Sequence, residues 1–123
     1  MMFPRRWWMK PTIKVWPVPR LTEQQLRELF FNIVRVCQLV PQLHVYDEDD
    51  VIVGFPKDAM MFGLGTELVV EVGVPSNLTN ITEERCQGIA TEIGHAVRAF
   101  FYHHGFTPSV QYEYRLTHGG MLE

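Results

Sequence analysis

Apolar and polar positions alternate over residues 12–16, with Ile13 and Val15 on one side and Thr12, Lys14 and Trp16 on the other. That is the period of a half-buried strand. Pro17 and Pro19 follow and end regular pairing, because neither has an N–H to give to a ladder. From residue 22 the period becomes helical. Leu26, Leu29, Phe30, Ile33, Val34, Cys37 and Val40 fall on one stripe, and Gln24, Arg27, Glu28, Asn32, Arg35 and Gln38 lie opposite. Thr22 and Gln25 have capping-box spacing, Glu23 and Arg27 form a favourable pair four apart, and Pro41 stops the pattern. The spacing predicts a helix over residues 22–39.

Residues 43–46 read as a short extended piece, followed by the four carboxylates Asp47, Glu48, Asp49 and Asp50. The central glycine and final glutamate of a calcium-binding EF-hand loop are missing, so a solvated loop is expected. Residues 51–55 are a β-rich run closed by Pro56, residues 57–61 a link, and Phe62-Gly63-Leu64-Gly65 a turn. Residues 67–74 give the clearest strand, apolar enough to sit centrally in a sheet. After a polar loop over 75–80, Thr82 is an N-cap with Glu83 and Glu84 in the first turn. The second helix runs to Tyr102 or His104, and Gly105 supplies a left-handed C-cap. Its stripe holds Cys86, Ile89, Ala90, Ile93, Ala96, Val97, Phe100 and Phe101, and Gly88 and Gly94 within it predict close packing on a sheet. Residues 109–116 alternate again as a last strand.

The order is strand, helix, strand, strand, helix, strand. It predicts an α+β two-layer sandwich: two β-α-β units, a four-stranded mixed sheet, and both amphipathic helices on one face. The 123 residues suffice for one domain, expected over residues 11–117 between an arm (1–10) and a tail (118–123).

The net charge of −3, from 14 acidic and 11 basic side chains, argues against a general nucleic-acid binder. No apolar run reaches the ~18 residues of a membrane span, and no apolar h-region marks a secretory signal. Cys37 and Cys86 lie among apolar neighbours in the two helices. They are expected as buried free thiols in a cytoplasmic protein, where the sequons at Asn77 and Asn80 stay unmodified. The arm gathers Arg5, Arg6 and Lys10 around Trp7 and Trp8 with no acidic residue. It suits an anionic surface. Packing on this subunit or a neighbour, by contrast, spares two tryptophans from solvent.

His103 and His104 end the second helix and are read as capping its negative end; His95 is read as a core or boundary residue. No Cys/His spacing resembles a zinc site. Neither Ser76 nor Ser109 sits in a nucleophile elbow. Gly63-Leu64-Gly65 precedes a strand, so no helix N-terminus waits there for a phosphate.

Two stretches together resemble the tautomerase superfamily, which includes 4-oxalocrotonate tautomerase, 5-carboxymethyl-2-hydroxymuconate isomerase and macrophage migration inhibitory factor. Pro11-Thr12-Ile13-Lys14-Val15 with Leu21-Thr22-Glu23-Gln24-Gln25 is similar to the family's opening proline, short strand and helix start. Phe62-Gly63-Leu64-Gly65-Thr66-Glu67-Leu68 resembles the aromatic-glycine turn of the short tautomerases. The resemblance covers residues 11–74, and the second half fits the double-length members by topology. It implies a homotrimer with small-molecule pockets between subunits, and it makes Pro11 the position that matches the family's proline base and Phe62 the hydrophobic wall. Lys14 and Arg20, outside the family's pattern, are read as the anion contacts for a small carboxylate or aromatic ligand, and no cofactor or metal is expected.

In that family a free amino-terminal proline moves a proton on an enol or keto acid while arginines hold the carboxylate. An α-amino group titrates at about 7.7–8.0. Ten residues precede Pro11 here, so its nitrogen is expected to be a tertiary amide without basicity, a base only where proteolysis exposes it. Leu21 stands at the family's first arginine position, with Arg20 one residue early, and Ile52 stands at the second. Two readings stay open. One is a degenerate or atypical tautomerase-like protein that keeps an intersubunit pocket. The other is a non-enzymatic trimeric module whose aromatic arm docks on a subunit or partner.

Overall fold

The computed structural model describes residues 10–56, 67–76, 78 and 81–117. Thr12–Trp16 forms β1, Glu23–Gln38 α1, Ile52–Gly54 β2, Glu67–Pro75 β3, Glu83–His103 α2 and Ser109–Thr117 β4. The sheet runs β2-β1-β3-β4. β1 pairs parallel to β2 and β3 parallel to β4, as strands joined by a crossover helix do. An antiparallel β1–β3 ladder joins the two halves, with Lys14 opposite Glu71 and Val15 opposite Val70.

Strand alternation decides which face the helices cover. Ile13 and Val15 on β1, and Leu68, Val70, Val72 and Val74 on β3, are buried against Leu29, Ile33 and Cys37 of α1 and Ile89, Ile93, Val97 and Phe101 of α2. The opposite face carries Lys14, Gln111, Glu113 and Arg115, all exposed. This is the α+β two-layer arrangement that the hydrophobic pattern predicts. Among the described residues the core holds no buried polar or charged side chain. Chemistry must therefore come from the faces and edges.

The helix starts follow from their caps. Thr22 Oγ1 accepts the Gln25 N–H at 3.1 Å and Gln25 Oε1 accepts the Thr22 N–H at 2.8 Å, completing the capping box. Thr82 Oγ1 accepts the Arg85 N–H at 3.0 Å. Gly105 closes α2 with φ of 88°, where a side chain would strain the backbone. Of the two glycines inside α2, only Gly94 marks close packing: a Cβ there would stand 2.5 Å from Tyr112 Cδ1 on β4. Gly88 meets nothing nearer than Arg85 Nη1 at 3.9 Å.

Residues 43–46 are not extended. The chain makes a 3-10 turn over Pro41–Leu43 and then reverses at His44, with φ of 54° and ψ of 40°, its N–H bonded to the Pro41 carbonyl at 3.1 Å. Residues 47–50 are more than a solvated loop, because Glu48–Asp50 forms a second 3-10 turn with its own caps. The Asp47 carboxylate accepts the Asp49 N–H, and Asp50 Oδ2 accepts the N–H groups of Tyr46 and Asp47. β2 is shorter than the predicted 51–55. Cys37 and Cys86 are buried and free. Burial pushes the Cys37 thiol up to about 12, and burial plus the Glu83 carboxylate raises that of Cys86. The Phe62-Gly63-Leu64-Gly65 turn, both sequon asparagines, the tail and residues 1–9 lie outside the described residues.

Candidate functional site

Pro11 is buried at the mouth of β1 and its carbonyl accepts the Ile52 N–H at 3.0 Å, which starts the β1–β2 ladder. Lys10, half-buried, is joined to it, so the Pro11 nitrogen carries an acyl group and has neither a proton to give nor a lone pair to use. Strand alternation sets Pro11 on the helix-covered side with Ile13 and Val15.

Lys14 points from the other face. Its cross-strand neighbours are Gly54 on β2 and Glu71 on β3. Glu71 Oε1 takes Arg115 Nε at 3.1 Å, with the Glu71 side chain 18% exposed. The open face thus carries a short charged row in which the carboxylate lies between two cations. Arg20 is exposed in the connection between β1 and α1. Five strand steps of about 3.3 Å separate Pro11 from Trp16, so Pro11 and the Arg20 segment stand roughly 16 Å apart at opposite ends of β1. Phe62 lies outside the described residues. Within one chain the fold does not gather Pro11, Lys14 and Arg20: two faces and two strand ends divide them.

The positions that the family pattern fills with arginine are apolar in structure as well as in sequence. Leu21 packs half-buried against the core, and Ile52 sits on the edge strand at 40% exposure.

Among the described residues, three clefts lie away from Pro11, Lys14 and Arg20. One, of about 360 Å³, runs between α1 and α2 over Val36, Ala96, Ala99 and Phe100, with Glu28, Arg35 and His103 at its rim. Two others, of about 520 and 620 Å³, flank α1 beside the acidic turn.

A polar network that sequence reasoning missed crosses between the helices. His104 is the C-cap residue of α2, as the helix-end reading expects, but its ring reaches α1. Nε2 lies 2.6 Å from Glu28 Oε2, Nδ1 lies 3.4 Å from Gln25 Nε2, and Phe100 packs on the ring at 4.5 Å between centroids. No local spacing could reveal a contact between residues 76 positions apart. His95 is an exposed residue, not a core one, meeting Tyr112 edge-on at 6.0 Å. On β4, burial and a hydrogen bond to the Glu83 carboxylate raise the Tyr114 phenol. Among the described residues no three His, Cys, Asp or Glu side chains are grouped to hold a metal ion, and no helix is long and apolar enough to cross a membrane.

No family model matches the chain, and no curated protein matches it by sequence. Solved structures do match it in shape. Over 90% of this chain and 91% of the other, it is similar to an R7 fused 4-OT wild-type asymmetric trimer, with 9% identity and a TM-score of 0.59. It is similar to N1, a member of the cis-3-chloroacrylic acid dehalogenase family, over 91% and 79% of the two chains, with 14% identity and a TM-score of 0.56. Leishmania major MIF2 is similar over 88% and 89%, with 16% identity and a TM-score of 0.54. The fold is therefore the tautomerase and MIF-like fold, across the whole two-unit length and not only the residues that carry the motifs.

Proposed function

We propose that this chain is a tautomerase-fold protein that assembles as a homotrimer, with pockets between subunits for a small carboxylate or aromatic ligand, and without the proline-base chemistry of that fold. The observation that carries this reading is the scatter of Pro11, Lys14 and Arg20 over two faces and two ends of one strand. A single chain cannot set them around one ligand, whereas copies arranged side by side bring the end of one strand toward the start of another. Lys14 and Arg20 are the anion contacts and Phe62 the apolar wall. Pro11, acylated by Lys10, is structural unless cleavage frees it. The two buried free thiols support a cytoplasmic setting.

Apolar side chains at Leu21 and Ile52 favour a second reading, a non-enzymatic trimeric module. Two arginines that would grip a substrate carboxylate have no counterpart at those positions.

The experiment compares the full chain with a version beginning at Pro11, on phenylenolpyruvate and 2-hydroxymuconate. Turnover only by the shortened chain is the expected result, and it means that the scaffold is competent and that acylation of Pro11 silences it. Turnover by neither supports the non-enzymatic module. Turnover by the full chain overturns the assignment, since the base is then another group.

A further inference from the structure

We propose that the arm, residues 1–9, docks on its own chain along the acidic side of α1, its cationic and aromatic side chains filling the two clefts beside the turn Glu48–Asp50. The two clefts share Phe31, Glu48 and Asp49 and so form one continuous groove along the helix. Its wall is aromatic, with Phe30 beside Phe31 at 5.2 Å between ring centroids. Asp47, Glu48, Asp49 and Glu23 line its rim against Arg27 and Arg35. Arg27 is already taken by Glu23 at 3.5 Å, which leaves the rim acidic. Phe31 is 40% exposed there, an apolar surface that awaits cover.

The occupant follows from where the chain leaves the sheet. In the parallel β1–β2 register Thr12 stands beside Ile52. Stepping back along both strands sets Pro11 level with Val51 and Lys10 level with Asp50. The arm therefore departs beside the acidic turn, at the end of α1 that lines the first cleft through Val34 and Gln38. Nine residues reach about 30 Å when extended, and the 16 residues of α1 are about 24 Å long, so the arm can follow the whole groove. Its content is complementary: Arg5 and Arg6 for the carboxylates, Phe3, Trp7 and Trp8 for the phenylalanines, and no acid of its own. This placement is independent of the trimer and of any catalysis.

The test is acrylamide quenching of Trp7 and Trp8 in the full chain carrying Trp16→Phe, which leaves tryptophan only in the arm. Glu48→Lys with Asp49→Lys is expected to raise the quenching constant at least twofold. The neutral pair Glu48→Gln with Asp49→Asn should fall between, and it spares Asp47 and Asp50, which cap the turn. Adding Arg5→Glu and Arg6→Glu to the lysine pair is expected to restore protection, which a groove that had merely unfolded would not do. Equal quenching in parent and reversed-charge chains overturns the proposal. Protection that disappears on dilution also overturns it, because the occupant is then the arm of another copy.

Discussion

The two halves of the molecule reach the same strand–helix–strand shape by different means. In the first, β1 and β2 meet at three register positions, and the chain between is turned by local devices: a capping box, two 3-10 turns and a run of carboxylates that cap their own backbone. In the second, β3 and β4 pair over nine positions under a 21-residue helix. Phe100, Phe101 and Phe106 stack there edge to face at 5.1 and 5.7 Å. The residues proposed above to bear on chemistry, Pro11, Lys14 and Arg20, all belong to the first half, and the second is proposed as their scaffold. Local turn devices shape the first half, while a long parallel ladder and aromatic packing shape the second.

If the second half is the scaffold, truncating its core should cost most. Phe101→Ala, at a fully buried site, is expected to lose about 3–5 kcal/mol in denaturant unfolding, and Leu29→Ala in α1 about 2–4 kcal/mol. Equal losses would mean that the halves share the load. A finer contrast lies within α2. Gly94→Ala forces a Cβ onto Tyr112 and should destabilise by about 1–3 kcal/mol, despite the better helix propensity of alanine. Gly88→Ala, with open space around it, should stabilise by about 0.5–1 kcal/mol. Thermal melts of the two variants in opposite directions would show that α2 sits hard on β4 at one turn only.

A contrast that shows only at alkaline pH compares the two thiols. Cys37 keeps its proton in the folded chain up to about 12, against an ordinary value of 9.0. Between those values the unfolded chain loses a proton that the folded chain retains. Stability should then fall as pH rises, by up to about 1.4 kcal/mol per unit. Cys37→Ala should flatten that slope more than Cys86→Ala does, as read by urea unfolding at a series of alkaline pH values.

Most of this architecture was legible because it is written in periodicity. The switch from period two at Ile13 and Val15 to the helical stripe from Leu26 onward places β1 and α1, and Thr22 with Gln25 sets the boundary to the residue. Residues 43–46 show how that signal misleads. Leu43 and Val45 are buried and His44 and Tyr46 exposed, the alternation of a strand, yet a left-handed His44 produces it with no strand at all. The Glu71–Arg115 pair and the His104 contacts were illegible for a different reason: each needs a register or a helix crossing that no local window contains. The candidate site was legible only as a set of residue types. Their dispersal around β1 came from the fold.

The contact at His104 also acts as a length gauge. Gln25 Oε1 is committed to the Thr22 N–H, so its amide can offer the imidazole only a hydrogen. A neutral ring that keeps both contacts carries its lone pair on Nδ1 and, on Nε2, the hydrogen given to Glu28. The first turn of one helix thereby favours one neutral tautomer of a ring 79 positions away. One residue added to or removed from α2 would swing that ring by about 100° around the helix axis and out of reach of both partners. The distance from Thr82 to His104 is metered against the start of α1, and a tautomer-sensitive nitrogen signal from a single side chain would report whether the two helices still agree on where they end.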